Sequence, residues 1–130
     1  MIAPILILIA AMGAQPPTVT TGSATSIQTT TAWCSGLITA TGGASILERG
    51  VCWSVTPNPT VLDQSAEPIV VQGAYFECRL SGLEPFTTYH VRAYARNAVG
   101  TGYGQDVEFR TSRVNRKCAY IGIGLRGVGL

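Results

Sequence analysis

The sequence predicts an all-β fold: a seven-stranded antiparallel β-sandwich with an apolar extension at each end. Three observations lead there. From Thr88 to Arg96 the side chains alternate, with Tyr89, Val91, Ala93 and Ala95 on one side and Thr88, His90, Arg92, Tyr94 and Arg96 on the other; this is the period of a half-buried strand. Shorter runs of similar character recur along the chain, punctuated by Gly and Pro turn signals. At 130 residues the chain has room for a sandwich core that needs no metal to hold it.

The segment Met1 to Met12, MIAPILILIAAM, is apolar and isoleucine-rich. It is shorter than the roughly 20 residues that cross a bilayer as a helix, so no membrane span is expected. Two readings stay open. It is a secretory signal remnant with a small-residue site near Ala11-Met12-Gly13, although no Lys or Arg precedes the run; or it is an ordered apolar strand, folded onto its own domain or lent to a neighbour. Gln15-Pro16-Pro17 follows as a stiff extended hinge.

Thr18 to Thr21 reads as a short first strand, and Ser26 to Ala40 as the second. In the second, Ala32, Cys34, Gly36 and Ile38 share one face, and Thr31, Trp33, Ser35, Leu37 and Thr39 the other. Thr41-Gly42-Gly43 is a turn, because glycine takes positive φ without a Cβ penalty. Ser45 to Ser54 is the third strand, stopped by Thr56-Pro57-Asn58-Pro59-Thr60. Pro68 to Val71 is a short edge strand. Ala74 to Leu80 follows, with Phe76, Cys78 and Leu80 opposed to Tyr75, Glu77 and Arg79. The Leu83-Glu84-Pro85 break precedes the central strand, since Pro85 has no N–H for a ladder. After a turn at Gly100-Thr101-Gly102, Tyr103 to Thr111 closes the sandwich with Val107 and Phe109 inward.

The stretch LSGLEPFTTYHVRAYARN places Leu83, Pro85, Thr87, Tyr89, Val91, Ala93 and Ala95 in a pattern that resembles two consecutive strands of the fibronectin type III family. A tyrosine after a Leu-x-Pro corner is similar to the tyrosine corner of β-sandwiches. The resemblance implies that the Tyr89 ring packs inward while its hydroxyl bonds to backbone upstream. ERGVCWS (Glu48 to Ser54), followed by prolines and preceded by the Cys34-Ser35-Gly36 strand, resembles a variant found in secreted multidomain bacterial surface proteins. The resemblance covers residues 16–111 and implies an immunoglobulin/fibronectin-like sandwich. The domain reading is therefore an apolar segment at 1–15, the sandwich at 16–111 and a C-terminal extension at 112–130.

Trp33 and Leu37 depart from that family, which carries small polar residues at such places. With Tyr75 they form an outward apolar patch. Burying one large apolar side chain is worth about 1.5–3 kcal/mol, so a cover from the chain's own apolar ends is expected. A one-residue slip in register would instead send Trp33 inward and Cys34 outward. In the tail, Ile121, Ile123 and Leu125 alternate with Gly122 and Gly124; this reads either as a disordered tail or as an extra strand with one bare face that another backbone can approach. The literal GxGxxG from Gly122 to Gly127 lacks the strand-to-helix setting that gives this motif meaning.

Cys34, Cys52, Cys78 and Cys118 contain no CxxC pair. Either two or three of them are buried small hydrophobes or, in an oxidising compartment, Cys34 pairs with Cys78 or with Cys52, and Cys118, out in the tail, is free or pairs late. Charged residues make up 12% of the chain, and no Asp, Glu, Lys, Arg or His occurs before Glu48. A net charge of +2 is too small to point to nucleic acid. So little charge, with abundant Thr, Ser and Gly, points to an extracellular or cell-surface protein that packs against copies of itself.

Nothing points to catalysis. His90 is the single histidine, there is no nucleophile motif, and no cofactor or metal is expected. Asp106 and Glu108 are expected to pair across the hairpin with Arg92, Tyr94 or Arg96. The row His90, Arg92, Tyr94 and Arg96 is the candidate face for an anionic sugar of a cell-surface polysaccharide, or for a protein. The leading expectation is a structural protein that self-assembles into a fibre or surface layer. Ile2, Ile5, Leu6, Ile7, Leu8 and Ile9 would be donated as a strand, and Trp33, Leu37, Tyr75, Ile121, Ile123 and Leu125 would complete the subunit contact. The alternative is an adhesion or spacer module of a larger secreted protein or polysaccharide-degrading enzyme.

Overall fold

The computed structural model describes residues 13–114. Over them the chain forms β1 (Thr18–Thr25), β2 (Ala32–Ala40), β3 (Glu48–Ser54), β4 (Gln64–Ala66), β5 (Pro68–Gln72), β6 (Tyr75–Leu80), β7 (Thr88–Arg96), β8 (Thr101–Tyr103) and β9 (Val107–Arg110). One sheet runs β1-β2-β6-β5, and the other runs β4-β3-β7-β8 with β9 also on β7. Every pairing is antiparallel. The chain changes sheets at Glu67, between β4 and β5. The seven predicted strands are all there. The extra segments are β4 and the division of the last predicted strand into β8 and β9.

The core follows the predicted alternation. Ala32, Cys34 and Ile38 of β2, Phe76, Cys78 and Leu80 of β6, and Tyr89, Val91, Ala93 and Ala95 of β7 all face inward, with Val19, Val51, Trp53 and Phe109. Cys34 is 1% exposed, so the slipped register is excluded and Trp33 faces out. Gly36 is glycine for a packing reason: a Cβ there would lie 2.4 Å from the Phe76 ring. The predicted Gly42-Gly43 turn takes φ values of 81° and 87°.

The tyrosine corner forms as the resemblance implied. Tyr89 is buried, and its Oη accepts the Glu84 N–H at 2.8 Å. A second polar clasp is Asn97, only 1% exposed. Its Nδ2 donates to the carbonyls of Gln15 (2.7 Å) and Thr41 (2.8 Å), and its Oδ1 accepts from the N–H groups of Val99 (2.8 Å) and Gly100 (3.1 Å). All four bonding positions of the buried amide are thereby used. The turn after β7 consequently closes at 97–100, one strand-start earlier than the predicted Gly100-Thr101-Gly102.

Other boundaries shift for local reasons. The second strand begins at Ala32, because Ser26 sits at φ 47° and Gln28 N–H closes a turn onto Thr31 O. The first strand continues past Thr21 to Thr25, with a register irregularity between Thr21 and Ala24. The last predicted strand breaks at Gly104-Gln105-Asp106, where Gln105 turns to bond Thr21.

Candidate functional site

Two faces were marked by the sequence, and the structure treats them differently. On the outer face of the second sheet, the row on β7 is occupied by its own neighbours. His90 Nδ1 meets Asp106 Oδ1 at 2.8 Å, and the other carboxylate oxygen of Asp106 accepts the Asn58 N–H at 2.6 Å. The Asp106 carboxyl lies below its ordinary value of 3.8: burial acts against this, but the Asn58 N–H and His90 outweigh it. Arg92 donates from Nε and Nη2 to Pro59 O, at 2.9 and 2.6 Å, and its guanidinium lies 4.2 Å from the Tyr103 ring centre. Tyr94 is buried, over Gly50 on the adjoining strand. Arg96 pairs with Glu48 at 3.1 Å.

The expected pairing of Asp106 with an arginine is therefore corrected to His90, and Arg96 turns instead to β3. A guanidinium whose donors already hold a carbonyl and whose face already holds an aromatic ring has little left for an anion. The row works as a seam that pins the β3–β4 loop onto the sheet.

The cysteines also divide. Cys34 and Cys78 face inward and stand opposite each other in the β2–β6 register. Cys52 does not belong with them. Val51 and Trp53 take the inward positions of β3, so Cys52 points to the outer face, beside the carbonyls of Pro59 (3.5 Å) and Arg92 (3.7 Å). The sheet itself lies between Cys52 and Cys34, which removes that expected pairing. Among the described residues all three are free thiols.

The outer face of the first sheet is open among the described residues. Trp33 stands opposite Arg79, Ser35 opposite Glu77, and Leu37 opposite Tyr75. Leu37 is 42% exposed, while Trp33 and Tyr75 are half-buried. The irregularity in β1 lifts Gly22 and Ser23 out of the ladder; such irregularities bend a strand and re-aim its side chains. Gly22 lets Ser35 reach across, since a Cβ at Gly22 would lie 2.0 Å from Ser35 Oγ.

The result is a groove of about 460 Å³ lined by Ser23, Thr25, Ser26, Trp33, Ser35, Tyr75 and Glu77, with Cys34 at its floor. The Tyr75 hydroxyl donates to Glu77 Oε2 at 2.6 Å, and this bond raises the phenol's pKa. The alternation of β2 and β6 placed Trp33, Ser35, Tyr75 and Glu77 on one face from sequence alone. The β1 side of the groove was missed, because Ser23 to Ser26 carry no apolar pattern to mark the irregularity. The assembly residues Ile2, Ile5, Leu6, Ile7, Leu8, Ile9, Ile121, Ile123 and Leu125, with Cys118, lie outside the described residues.

Among the described residues no group of three His, Cys, Asp or Glu side chains gathers to hold a metal. No helix there is long and apolar enough to cross a membrane.

Comparison with solved structures gives a fibronectin type III-like fold. The chain is similar to the sensor domain of the anti-sigma factor RsgI4 in Pseudobacteroides cellulosolvens, with 17% identity, a TM-score of 0.53, and coverage of 77% of this chain and 98% of that one. It is also similar to a fibronectin type III domain derived from the human KIAA0970 protein, with 16% identity, a TM-score of 0.52, and coverage of 81% and 78%. No family model and no curated protein matches the sequence. At these identities the likeness shows the fold.

Proposed function

We propose that this fibronectin type III-like sandwich is a non-catalytic extracellular module that spaces or presents neighbouring parts of a larger surface-exposed assembly. One observation carries the reading: the chain enters and leaves the sandwich at opposite ends, and both points are tied down. At entry, Gln15 N–H donates to Gly42 O at 2.8 Å while its carbonyl accepts from Asn97. At exit, Ser112 N–H donates to Gln28 O at 2.9 Å, and Phe86 N–H donates to Ser112 O at 3.0 Å. The nine residues of β7 span the distance between these ends, roughly 25 Å at strand rise. A unit fixed in this way transmits position along a chain without bending at its junctions. The side chains of the β7 row are engaged by their own neighbours, which supports a structural use of that face.

A second reading, assembly by strand addition, is favoured by the β5 edge. Ile69 is 62% and Val71 54% exposed there, on a strand that among the described residues pairs with β6 alone. An apolar edge of this kind is a template for another strand, and residues 2–10 are the donor the sequence offers. Electron microscopy and sedimentation of the full chain, beside a version lacking Met1 to Ala14, separate the two. Monodisperse particles in both samples are expected for the spacing module. Filaments that disappear on truncation would replace it with the assembly reading.

A further inference from the structure

We propose that the groove on the outer face of the first sheet binds a neutral, unbranched polysaccharide chain, with Trp33 and Tyr75 as stacking platforms and Ser35 and Glu77 as the hydrogen-bonding pair between them. A sugar ring offers two surfaces to a protein: a patch of C–H groups on its face and a rim of hydroxyls that both donate and accept. It therefore fits a site where aromatic faces alternate with hydroxyls and a carboxylate, and this groove is lined in that way. Its volume of about 460 Å³ lies within the roughly 300–1,000 Å³ typical of small-ligand sites.

The register sets the spacing. Trp33 faces Arg79 and Tyr75 faces Leu37, so the two aromatics are four residues apart along the sheet and one strand across. That is roughly 14 Å between backbones. Tyr75 leans along the strand toward Glu77, and platforms offset in this way along the sheet suit linked sugars better than a single one. Between them, Ser35 and Glu77 are directly opposed. The Tyr75 hydroxyl engages Glu77 Oε2, which fixes the carboxylate and leaves Oε1 as an acceptor for a ligand hydroxyl.

Other occupants fit less well. The lining contains a carboxylate and no Lys, Arg or His, which disfavours an anionic sugar. A single carboxylate does not make a cation site. Protein interfaces favour aromatic residues but are depleted in serine, whereas Ser23, Thr25, Ser26 and Ser35 all line this groove. This proposal puts the polysaccharide contact on the sheet opposite the β7 row.

The test uses the full chain, titrated with cellohexaose, xylohexaose and mannohexaose, and with hexagalacturonate as the anionic counterpart. Binding is read by calorimetry and by the change in tryptophan emission, to which Trp33 contributes from the groove and Trp53 from the core. The expected result is saturable millimolar or tighter binding of at least one neutral chain, insensitive to salt, and weakened about tenfold or more by Tyr75→Ala and by Trp33→Ala. Glu77→Gln keeps both aromatic faces and is expected to weaken binding severalfold, so the test stands even if Trp33→Ala fails to fold. Arg96→Ala on the other sheet is expected to leave binding unchanged. Failure of all three neutral chains to saturate would overturn the proposal. So would binding that survives Tyr75→Ala and Glu77→Gln, or a salt-sensitive preference for hexagalacturonate.

Discussion

The side-chain amide of Gln105 pairs with the backbone of Thr21 in both directions: Thr21 N–H donates to Oε1, and Nε2 donates to Thr21 O, each at 3.1 Å. The amide thus imitates one residue of a neighbouring strand on the free edge of β1. The Thr21 hydroxyl in turn accepts the Ala93 N–H at 3.0 Å, so one residue of the first sheet is bonded to β7 and to the β8–β9 link of the second. Gln105→Ala is expected to destabilise the fold by about 1–2 kcal/mol, the net worth of two hydrogen bonds, and to speed hydrogen exchange at the Thr21 amide. Unchanged exchange there would mean that water replaces the side chain at no loss.

Asn97→Ala should cost more. It leaves two backbone carbonyls and two N–H groups without their buried partner, and an unsatisfied buried group costs about 1–3 kcal/mol. A loss of roughly 3 kcal/mol or more in urea denaturation is expected, with the Gln15 entry loosened as well. A change near that of Gln105→Ala would show that the clasp opens to solvent easily.

Tyr89→Phe tests the tyrosine corner. The ring stays against Phe109, 5.9 Å away between centroids, and only the acceptor for Glu84 N–H is lost. A destabilisation of about 1–2 kcal/mol is expected, visible as a lower denaturation midpoint at unchanged slope.

Acid should unfasten the β3–β4 loop. Because Asp106 is held below its ordinary 3.8 in the folded protein, the folded state binds fewer protons there than the unfolded one. Its contribution is present above pH 3.8 and fades as pH falls through the lower folded value. Asp106→Asn should lower stability across the neutral range, where the carboxylate contributes, and flatten the profile on that acidic limb, so that the two proteins converge at low pH. An unaltered acid limb would assign the loss to other carboxylates.

The three buried thiols should be inert in the native state. Burial pushes Cys34 up to about 12, a shift the Ser35 backbone only partly opposes. Burial likewise raises Cys52 to about 11, against the nearby Arg92, and Cys78 to about 12, with Cys34 adding to the effect. In a Cys118→Ser background, iodoacetamide at mildly alkaline pH should modify none of them until urea is added, and then all three. A mass two hydrogens short would reveal a disulfide, and the register allows only Cys34–Cys78 among them.

What the sequence revealed and what it hid follow from the range of the forces involved. The inward sets on β2, β6 and β7 were legible because backbone pleating imposes a two-residue period and each set alternates with polar residues. Cys52 was misplaced because Val51-Cys52-Trp53 is apolar throughout, and both faces of β3 are covered there: one by the core, the other by Pro59 and Arg92. Tyr94, read as an outward member of the candidate ligand face, is buried for a similar reason, since its cover, Tyr103, comes from another strand. Asn97 and Gln105 act through partners 82 and 84 residues away. Nothing in a local pattern announces such a partner. The groove was half visible: the parity of β2 and β6 gave its aromatic side, and the β1 irregularity that opens it did not show.

The opposed entry and exit also decide how the molecule meets tension. β1, reached from Gln15, belongs to the first sheet, and β9, which leads to Ser112, belongs to the second. A pull on the two ends therefore drags the sheets past each other along the strand axis. It loads the β1–β2 ladder and the β7–β9 ladder in shear, so their hydrogen bonds resist together and do not open one at a time. The Thr21–Gln105 and Asn97–Gln15 bonds join β1 and its entry to the β8–β9 link and the end of β7. They act as stops that must break before the sheets can slide.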